Sequence, residues 1–251
     1  MANKLNVVLI IGSAPDAVCV KNWDLSIFTS CVAINNAWQL FEGWNYLIYP
    51  EDFPRNRLPD ENKQTGKKLI AANEFVPQQN YFGGFVYAGG TMAFTAAYWA
   101  LGALKPDLIA FIGCDMVYSA EKGKPTHFYG NGTADPLRED VTLQSLEAKS
   151  VRLMAIAHGQ NCGVVNLSEL PESRLLFPRM TPKEFDHERQ LLKLLKEQKT
   201  LIKIDVVTKA LETEQNLGYM VPSGKYWEVL EQFDKDKLSA IDGMWLKAVQ
   251  V

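Results

Sequence analysis

The sequence is poor in the residues that build metal sites and disulfide frameworks. Of its 251 residues, four are cysteine and three are histidine. None of the cysteines forms a Cys-x-x-Cys pair, and no group of Cys and His has the spacing of a zinc site. We therefore predict reduced, mostly buried thiols in a cytoplasmic protein with no metal site. The start of the chain runs directly into a strand-like segment, without the pattern of a signal peptide.

A membrane-spanning segment and a strongly basic composition are also missing. The longest apolar stretch, residues 92–104, is shorter than the roughly 20 residues that a transmembrane helix needs, so we interpret it as a core helix. The formal net charge is −3, which excludes an overall basic field for nucleic acid or an anionic membrane. A local basic patch around Arg174 and Arg179 stays open. The sequence thus predicts neither a transmembrane segment nor a nucleic-acid partner.

What the sequence does contain is a series of short apolar runs, each ending in glycine or polar residues. Runs that are apolar on both faces are typical of central parallel strands. They cover residues 5–11, 32–34, 46–49, 108–112 and 164–167. They predict an α/β fold: a mostly parallel, Rossmann-like sheet with helices on both faces and a C-terminal helical appendage. Because ligands bind at the carboxyl ends of such strands, the residues after each run are candidates for a site.

The segments between the runs have different characters. Residues 91–104 carry small alanines among large apolar residues and predict a helix that lies close on the sheet. Residues 51–79 are polar and predict a surface excursion with one short helix. Residues 119–138, rich in Gly and Pro, predict a mobile loop. Asp140 is a predicted N-cap of a helix that runs to about residue 158.

A change of composition after residue 178 predicts two domains, a Rossmann-like nucleotide-binding domain at 1–180 and a helical C-terminal region at 181–251. Residues 182–199 predict an amphipathic helix with Leu191, Leu194 and Leu195 facing inward. Two or three further helical segments follow. This region is either a helical cap on the sheet or an element of a homo-oligomer, and the sequence does not choose between them.

The loops after the first two strands carry residues suited to a nucleotide. Gly12 permits close approach of the backbone, and Ser13 offers a hydroxyl to a phosphate or a ribose. The Gly-x-Gly-x-x-Gly fingerprint is absent, so ordinary NAD binding is not predicted. Asn35 and Asn36 close the second strand. Their amides suit a base or ribose edge, and a turn built from Asn side chains is the alternative.

Two further stations follow along the chain. Gly89, Gly90 and Thr91 precede the Ala-rich helix, where bare backbone N–H groups attract anions, so we predict a phosphate contact. The alternative is a tight turn with Thr91 as the N-cap. Asp115 ends the strand-like run at 108–112, where its carboxylate could hold a metal, a sugar hydroxyl or a neighbouring loop. The Asp-x-Asp motif of metal-dependent glycosyltransferases does not stand at this position.

Three side chains in and beside the following loop have the chemistry of proton transfer. His127 has an imidazole suited to general-base work near neutral pH, and the alternative is a loop histidine bonded to backbone. Tyr118 and Tyr129 have hydroxyls that could donate to a departing phosphate. Ser173 and Arg174, after the last strand, could reach a base or a phosphate, and the alternative is a plain surface loop.

The order of these motifs resembles the Rossmann-like bacterial sialyltransferases that use CMP-sialic acid. It also resembles the wider group called domain of unknown function 115, which includes archaeal hydroxymethylpterin diphosphokinase-like proteins. The resemblance covers about residues 5–179. The family has a Gly-Asn-Gly-Pro-Ser loop, an Asn after the second strand, a Thr-Ser-Gly turn, a Gly-x-Asp and a Pro-x-Ser. These are similar, in that order, to residues 12–16, Asn35, residues 89–91, residues 113–115 and residues 171–173.

The resemblance implies a nucleotide site and a base among the residues already described. His127 would be the base, and Tyr118 and Tyr129 would bind the departing phosphate without a metal. The predicted nucleotide-binding residues are Gly12, Ser13, Asn35, Gly89, Gly90, Thr91, Asp115 and Ser173.

The predicted function is a metal-independent, sialyltransferase-like glycosyltransferase. It would move a sugar from a nucleotide donor, possibly CMP-linked, to a glycan acceptor, without a separate cofactor. One alternative is a Mg²⁺-dependent pyrophosphokinase of the pterin type. Another is a nucleotide- or glycan-binding or assembly protein without turnover.

Overall fold

The computed structural model describes residues 5–118, 125–130, 140–186 and 188–250. Within these residues a single parallel sheet has the strand order β4-β3-β2-β1-β5-β6. Its strands are β1 (Val7–Ile11), β2 (Ser30–Ile34), β3 (Tyr46–Ile48), β4 (Lys68–Ile70), β5 (Leu108–Ile112) and β6 (Gly163–Asn166). The all-parallel pairing and the surrounding helices confirm the predicted α/β, Rossmann-like fold.

The α-helices of the described residues lie between the later strands and after the sheet. They are α1 (Ala72–Tyr81), α2 (Phe85–Ala88), α3 (Met92–Ala103), α4 (Leu146–Gly159), α5 (Glu188–Leu201), α6 (Ile204–Leu217) and α7 (Lys235–Lys247). The earlier connections are 3-10 helices, chiefly Pro15–Asn22 and Asn35–Leu40. A C-terminal 3-10 helix, Tyr226–Gln232, separates α6 from α7.

Two neighbouring interior strands of the sheet are β1 and β5, whose residues are all apolar and all buried. They pair in parallel with Val7 opposite Leu108 and Ile11 opposite Ile112. β-Branched residues on both faces suit a strand covered on two sides. The two strands therefore end side by side, which brings the loops that follow them together.

One face of the sheet is covered by α3, which contacts β1 and β2. Four of its alanines, Ala93, Ala96, Ala97 and Ala100, are buried, and their small side chains allow the helix to lie close to the strands. Thr91 accepts a hydrogen bond from the Phe94 N–H over 3.4 Å, which is the N-cap interaction that the sequence offers as an alternative.

The other face is covered by the 3-10 helices and by α5. Ala17 and Val20 of the first 3-10 helix and Ala37 and Leu40 of the second are buried against the sheet. Leu194 of α5 is buried in the same cluster, as predicted. The predicted helices on both faces are thus present.

Several boundaries differ from the sequence predictions. The stretch 51–79 is not only a surface excursion, because it contributes the edge strand β4 and most of α1. Asp140 caps the short 3-10 helix Val141–Leu143, and Ser145 is the N-cap of α4. The helix predicted over 182–199 is divided into a 3-10 turn and α5.

Some predictions fall outside the described residues. The loop predicted over 119–138 is described only at residues 125–130. The side chain of Leu191 lies outside the described part as well. Within the described residues, no helix has the length and apolar character needed to cross a membrane.

The C-terminal helices are joined to α4 by buried ion pairs. Arg152 of α4 donates from Nε and one terminal nitrogen to the Glu214 carboxylate of α6, each over 2.8 Å. Lys149 of α4 donates to Asp242 of α7 over 2.8 Å. Trp245 of α7 also donates to Glu214. The two-domain division stays a prediction, but α4, α6 and α7 share one set of buried polar contacts.

Candidate functional site

The candidate site lies where the strand order of the sheet reverses. β2, β3 and β4 extend the sheet on one side of β1, whereas β5 and β6 extend it on the other. Ligands of open α/β sheets bind at such a switch point. Gly12 N–H donates to Ile112 O over 2.8 Å, and Ala14 N–H donates to Gly113 O over 3.0 Å. A Cβ on Gly12 would lie 2.2 Å from Gly113 O, so glycine is needed for this close approach.

A cavity of about 730 Å³ opens at this edge of the sheet. Its size falls in the range of sites that hold small organic ligands. The predicted site residues that line it are Gly12, Ser13, Asn35, Gly90, Thr91, Tyr118 and His127. Residues far apart in sequence therefore meet in one cavity, as the strand-end argument predicts.

The remaining predicted residues lie outside the cavity lining. Gly89 precedes the lining residue Gly90, and Tyr129 stacks on His127. Asp115 is buried, and its Oδ1 accepts a hydrogen bond from Asn166 Nδ2 over 2.9 Å. Ser173 Oγ accepts from the same amide group over 3.0 Å. Asp115 and Ser173 thus join the ends of β5 and β6 beside the cavity.

Arg174 and Arg179, the centre of the basic patch left open by the sequence, are both engaged by neighbouring groups. Arg174 Nε donates to Glu147 Oε1 over 2.9 Å, so its charge is paired with a carboxylate of α4. Arg179 donates to the backbone oxygen of Ser168. Neither arginine lines the cavity.

The turn before α3 uses part of its hydrogen-bonding capacity inside the protein. Gly90 N–H, which the sequence offers to a phosphate, donates to Thr142 Oγ1 over 3.1 Å. The N–H groups of Met92 and Ala93 belong to the first turn of α3, where a helix supplies no acceptor of its own. Both residues line the cavity. The anion-binding capacity of this turn therefore lies with them and not with Gly90.

Two buried polar atoms of the lining have no hydrogen-bond partner among the described residues. Asn35 lies at φ 52°, a left-handed conformation that asparagine tolerates better than most residues. Its Oδ1 is buried without a partner, and so is Oγ1 of Thr95 on α3. A buried polar atom without a partner costs about 1–3 kcal/mol, so a ligand that supplies hydrogen bonds here would recover it.

His127 is buried at the cavity, with 2 % of its surface exposed. Its backbone pairs with Gly130 in a tight turn, and Phe128 N–H donates to Ser13 O over 3.0 Å. That bond attaches the His127 turn to the Gly12-Ser13 loop. Nδ1 lies 2.8 Å from Thr126 Oγ1. Burial lowers the pKa of His127 below its ordinary value of 6.5, so the imidazole is neutral at pH 7.

Two tyrosine rings accompany the imidazole. The Tyr118 and Tyr129 centroids lie 6.1 and 5.0 Å from that of His127. Burial raises the pKa of Tyr118 to about 12, so its hydroxyl keeps its proton and can donate a hydrogen bond. Tyr118 lines the cavity, whereas Tyr129 is outside the lining and partly exposed.

One wall of the cavity comes from the C-terminal region and was missed by the sequence analysis. Residues 223–227 line it, although they follow every predicted site residue in the sequence. Asn80 Nδ2 donates to Pro222 O over 2.7 Å. A Cβ at Gly224 would lie 3.1 Å from Val76, so this segment packs closely on α1. The only signal in the sequence is a pair of adjacent aromatics after a Gly-containing break.

A carboxylate ties this wall to the rest of the site. Tyr226 donates to Asp140 Oδ2 over 2.7 Å and stacks on Phe85 with centroids 6.2 Å apart. Asp140 Oδ1 accepts from Thr142 N–H and Oγ1 over 2.8 and 2.7 Å. Thr142 Oγ1 in turn holds Gly90. The turn before α3, the segment before α4 and the C-terminal wall are therefore held in one hydrogen-bonded chain.

The charged residues of the lining are Glu51, Asp52 and Lys225. Glu51 and Asp52 follow β3 and are exposed. Within the described residues, no group of three or more His, Cys, Asp or Glu side chains is arranged to hold a metal ion. The lining thus combines two carboxylates, one ammonium group and several neutral hydrogen-bonding groups.

Comparison with protein-family models, curated proteins and solved structures finds no match for the chain.

Proposed function

We propose that the protein is a glycosyltransferase that binds a nucleotide-linked sugar in this cavity and transfers the sugar to a hydroxyl of a glycan acceptor. The observation that supports it best is the meeting of a buried, neutral His127 with Tyr118 at a switch-point cavity. Strand ends and a helix N-terminus at the same cavity suit a nucleotide.

In this proposal His127 is the general base. With the Nδ1 proton directed to Thr126 Oγ1, Nε2 carries the lone pair that accepts a proton. The acceptor hydroxyl gives its proton to Nε2 while its oxygen bonds to the anomeric carbon of the donor. The bond between that carbon and the phosphate oxygen breaks, and its electron pair leaves with the nucleotide.

The charge that develops on the leaving phosphate is stabilised by protein donors. The N–H groups of Met92 and Ala93 at the start of α3 and the protonated hydroxyl of Tyr118 are suited to this role. Donors that are already fixed in place lower the barrier because they need not reorganise during the reaction.

The test is a pair of histidine variants. His127→Ala should lower turnover about 10²–10⁴-fold, because a positioned general base contributes that much, while nucleotide affinity stays unchanged. His158→Ala, at the end of α4 and outside the cavity lining, is the matched control and should retain full turnover. Release of free nucleotide from CMP- and UDP-linked sugars measures the rate. Full turnover in the His127 variant would contradict the assignment of the base.

A pyrophosphokinase that requires Mg²⁺ is the second candidate, because Glu51 and Asp52 line the cavity and carboxylates are ligands that Mg²⁺ accepts. EDTA separates the two. It should abolish phosphoryl transfer from ATP, whereas sugar transfer should continue in its presence.

A further inference from the structure

Trp227 is an exposed aromatic side chain on a fixed wall of the cavity. Its exposed fraction is 56 %, although it lines the cavity. The preceding residue, Tyr226, is buried and bonded to Asp140, and its ring lies 5.4 Å from the indole. The backbone beneath the indole is thus anchored, while the indole itself presents apolar surface to the cavity.

The polar groups of the same cavity indicate what would cover that surface. Glu51 and Asp52 bring carboxylates, which only accept hydrogen bonds when ionised. They repel a phosphate and favour a ligand rich in hydroxyl donors. Lys225 adds one cation, so the carboxylates still outnumber the cations of the lining.

A sugar ring has both an apolar face that can cover the indole and hydroxyl donors that can bind the carboxylates. Its C–H face is apolar and packs on an aromatic ring, and its rim carries hydroxyls that donate to carboxylates. A nucleotide phosphate, in contrast, is suited to the N–H groups at the start of α3, which belong to a different element. The cavity therefore offers separate surfaces for the two parts of a transfer reaction.

We infer that Trp227 is the platform on which the acceptor sugar packs, with the carboxylates of Glu51 and Asp52 accepting hydrogen bonds from the hydroxyls of that sugar. This inference rests on the proposed glycosyltransferase function and adds the acceptor subsite to it. Trp227 binds the acceptor and takes no part in proton transfer.

The test compares three variants for sugar and nucleotide binding. Lactose, N-acetyllactosamine and maltose are the sugar probes, and CMP and UMP are the nucleotide probes, with saturation-transfer NMR and calorimetry as readouts. For the sugar that wild type binds, Trp227→Ala should lower the affinity about tenfold, whereas Trp227→Phe should keep most of the affinity. Tyr81→Ala, which removes an exposed aromatic outside the lining, should change nothing. Nucleotide affinity should be equal in all four proteins.

The outcomes separate the inference from the proposed function. If wild type binds no sugar probe, or if Trp227→Ala leaves sugar binding intact, Trp227 is not the acceptor platform. Nucleotide binding would still support the proposed transferase function in that case. If the variant loses nucleotide affinity instead, Trp227 stacks on the base and the inference is overturned. If wild type binds no nucleotide, the proposed function is wrong. The sugar titrations alone then decide whether Trp227 binds a sugar. With an active donor, the acceptor KM should rise in Trp227→Ala and kcat should stay near wild type.

Discussion

His127 shows how a single burial changes the chemistry of a residue. From the sequence, only the residue type of the candidate base and its place in a loop can be predicted. The structure shows that the imidazole is buried beside Tyr118 and Tyr129, which keeps it neutral at pH 7. Neutrality is the form that a general base requires.

The lowered pKa gives a pH dependence with a defined sign. Since a protonated imidazole cannot accept a proton, kcat/KM should fall at low pH with an apparent pKa below the ordinary histidine value of 6.5. The free energy of unfolding should also fall at low pH. The unfolded chain binds the His127 proton more readily than the folded protein, so this contribution is complete above pH 6.5 and is lost as pH falls through the folded pKa.

A pH profile of turnover, together with urea unfolding of wild type and His127→Gln, measures both effects. The variant should lose the fall in kcat/KM that wild type shows at low pH. A rate that keeps rising with pH above 7.5 would contradict the lowered pKa, because it would report a group that titrates later than His127.

Helix α4 is joined to the C-terminal helices α6 and α7 through buried charge. Arg152 is paired with Glu214, and its remaining donors reach Tyr98 Oη and Phe82 O. Breaking a buried pair by removing one partner leaves the other charge unpaired and costs about 3–5 kcal/mol. Replacing the whole pair by apolar residues need not be destabilising, so the pair mainly fixes which helices meet.

Glu214→Ala should therefore lower the free energy of unfolding by about 3–5 kcal/mol in urea denaturation. Glu212→Ala, an exposed position on the same helix, is the matched control and should change it by no more than about 0.5 kcal/mol. Similar stabilities for the two variants would show that the Arg152 contacts do not hold α6 on α4.

At the level of elements, the sequence was informative where burial is complete and less so at edges. β1 and β5 are apolar throughout and could be predicted from composition alone. β4 has three residues and begins with the exposed Lys68, so it carries no periodic signal and was missed. The start of α4 was misplaced because Asp140 is a good cap. The Asp140 side chain instead caps a 3-10 turn and accepts a hydrogen bond from the Tyr226 hydroxyl.

The cavity as a whole shows why part of its lining escaped prediction. Gly12, Ser13 and Asn35 could be found because parallel strands end at one edge, a rule that needs no knowledge of contacts. Residues 223–227 reach the same cavity through packing on α1 and α2 and through the hydrogen bond from Tyr226 to Asp140, which no local pattern in the sequence encodes. The exposed Trp227 belongs to that second group.

Binding of a nucleotide in the switch-point cavity through protein groups is the property on which the proposed function depends. Melting temperatures with CMP, UMP, GMP, AMP, ADP and ATP, each with Mg²⁺ and with EDTA, measure it, because a ligand of the native state must raise the midpoint. We expect a rise in the melting temperature with CMP or UMP that survives EDTA and persists in His127→Ala. No rise with any nucleotide, or a rise that appears only with ATP and Mg²⁺, would contradict it.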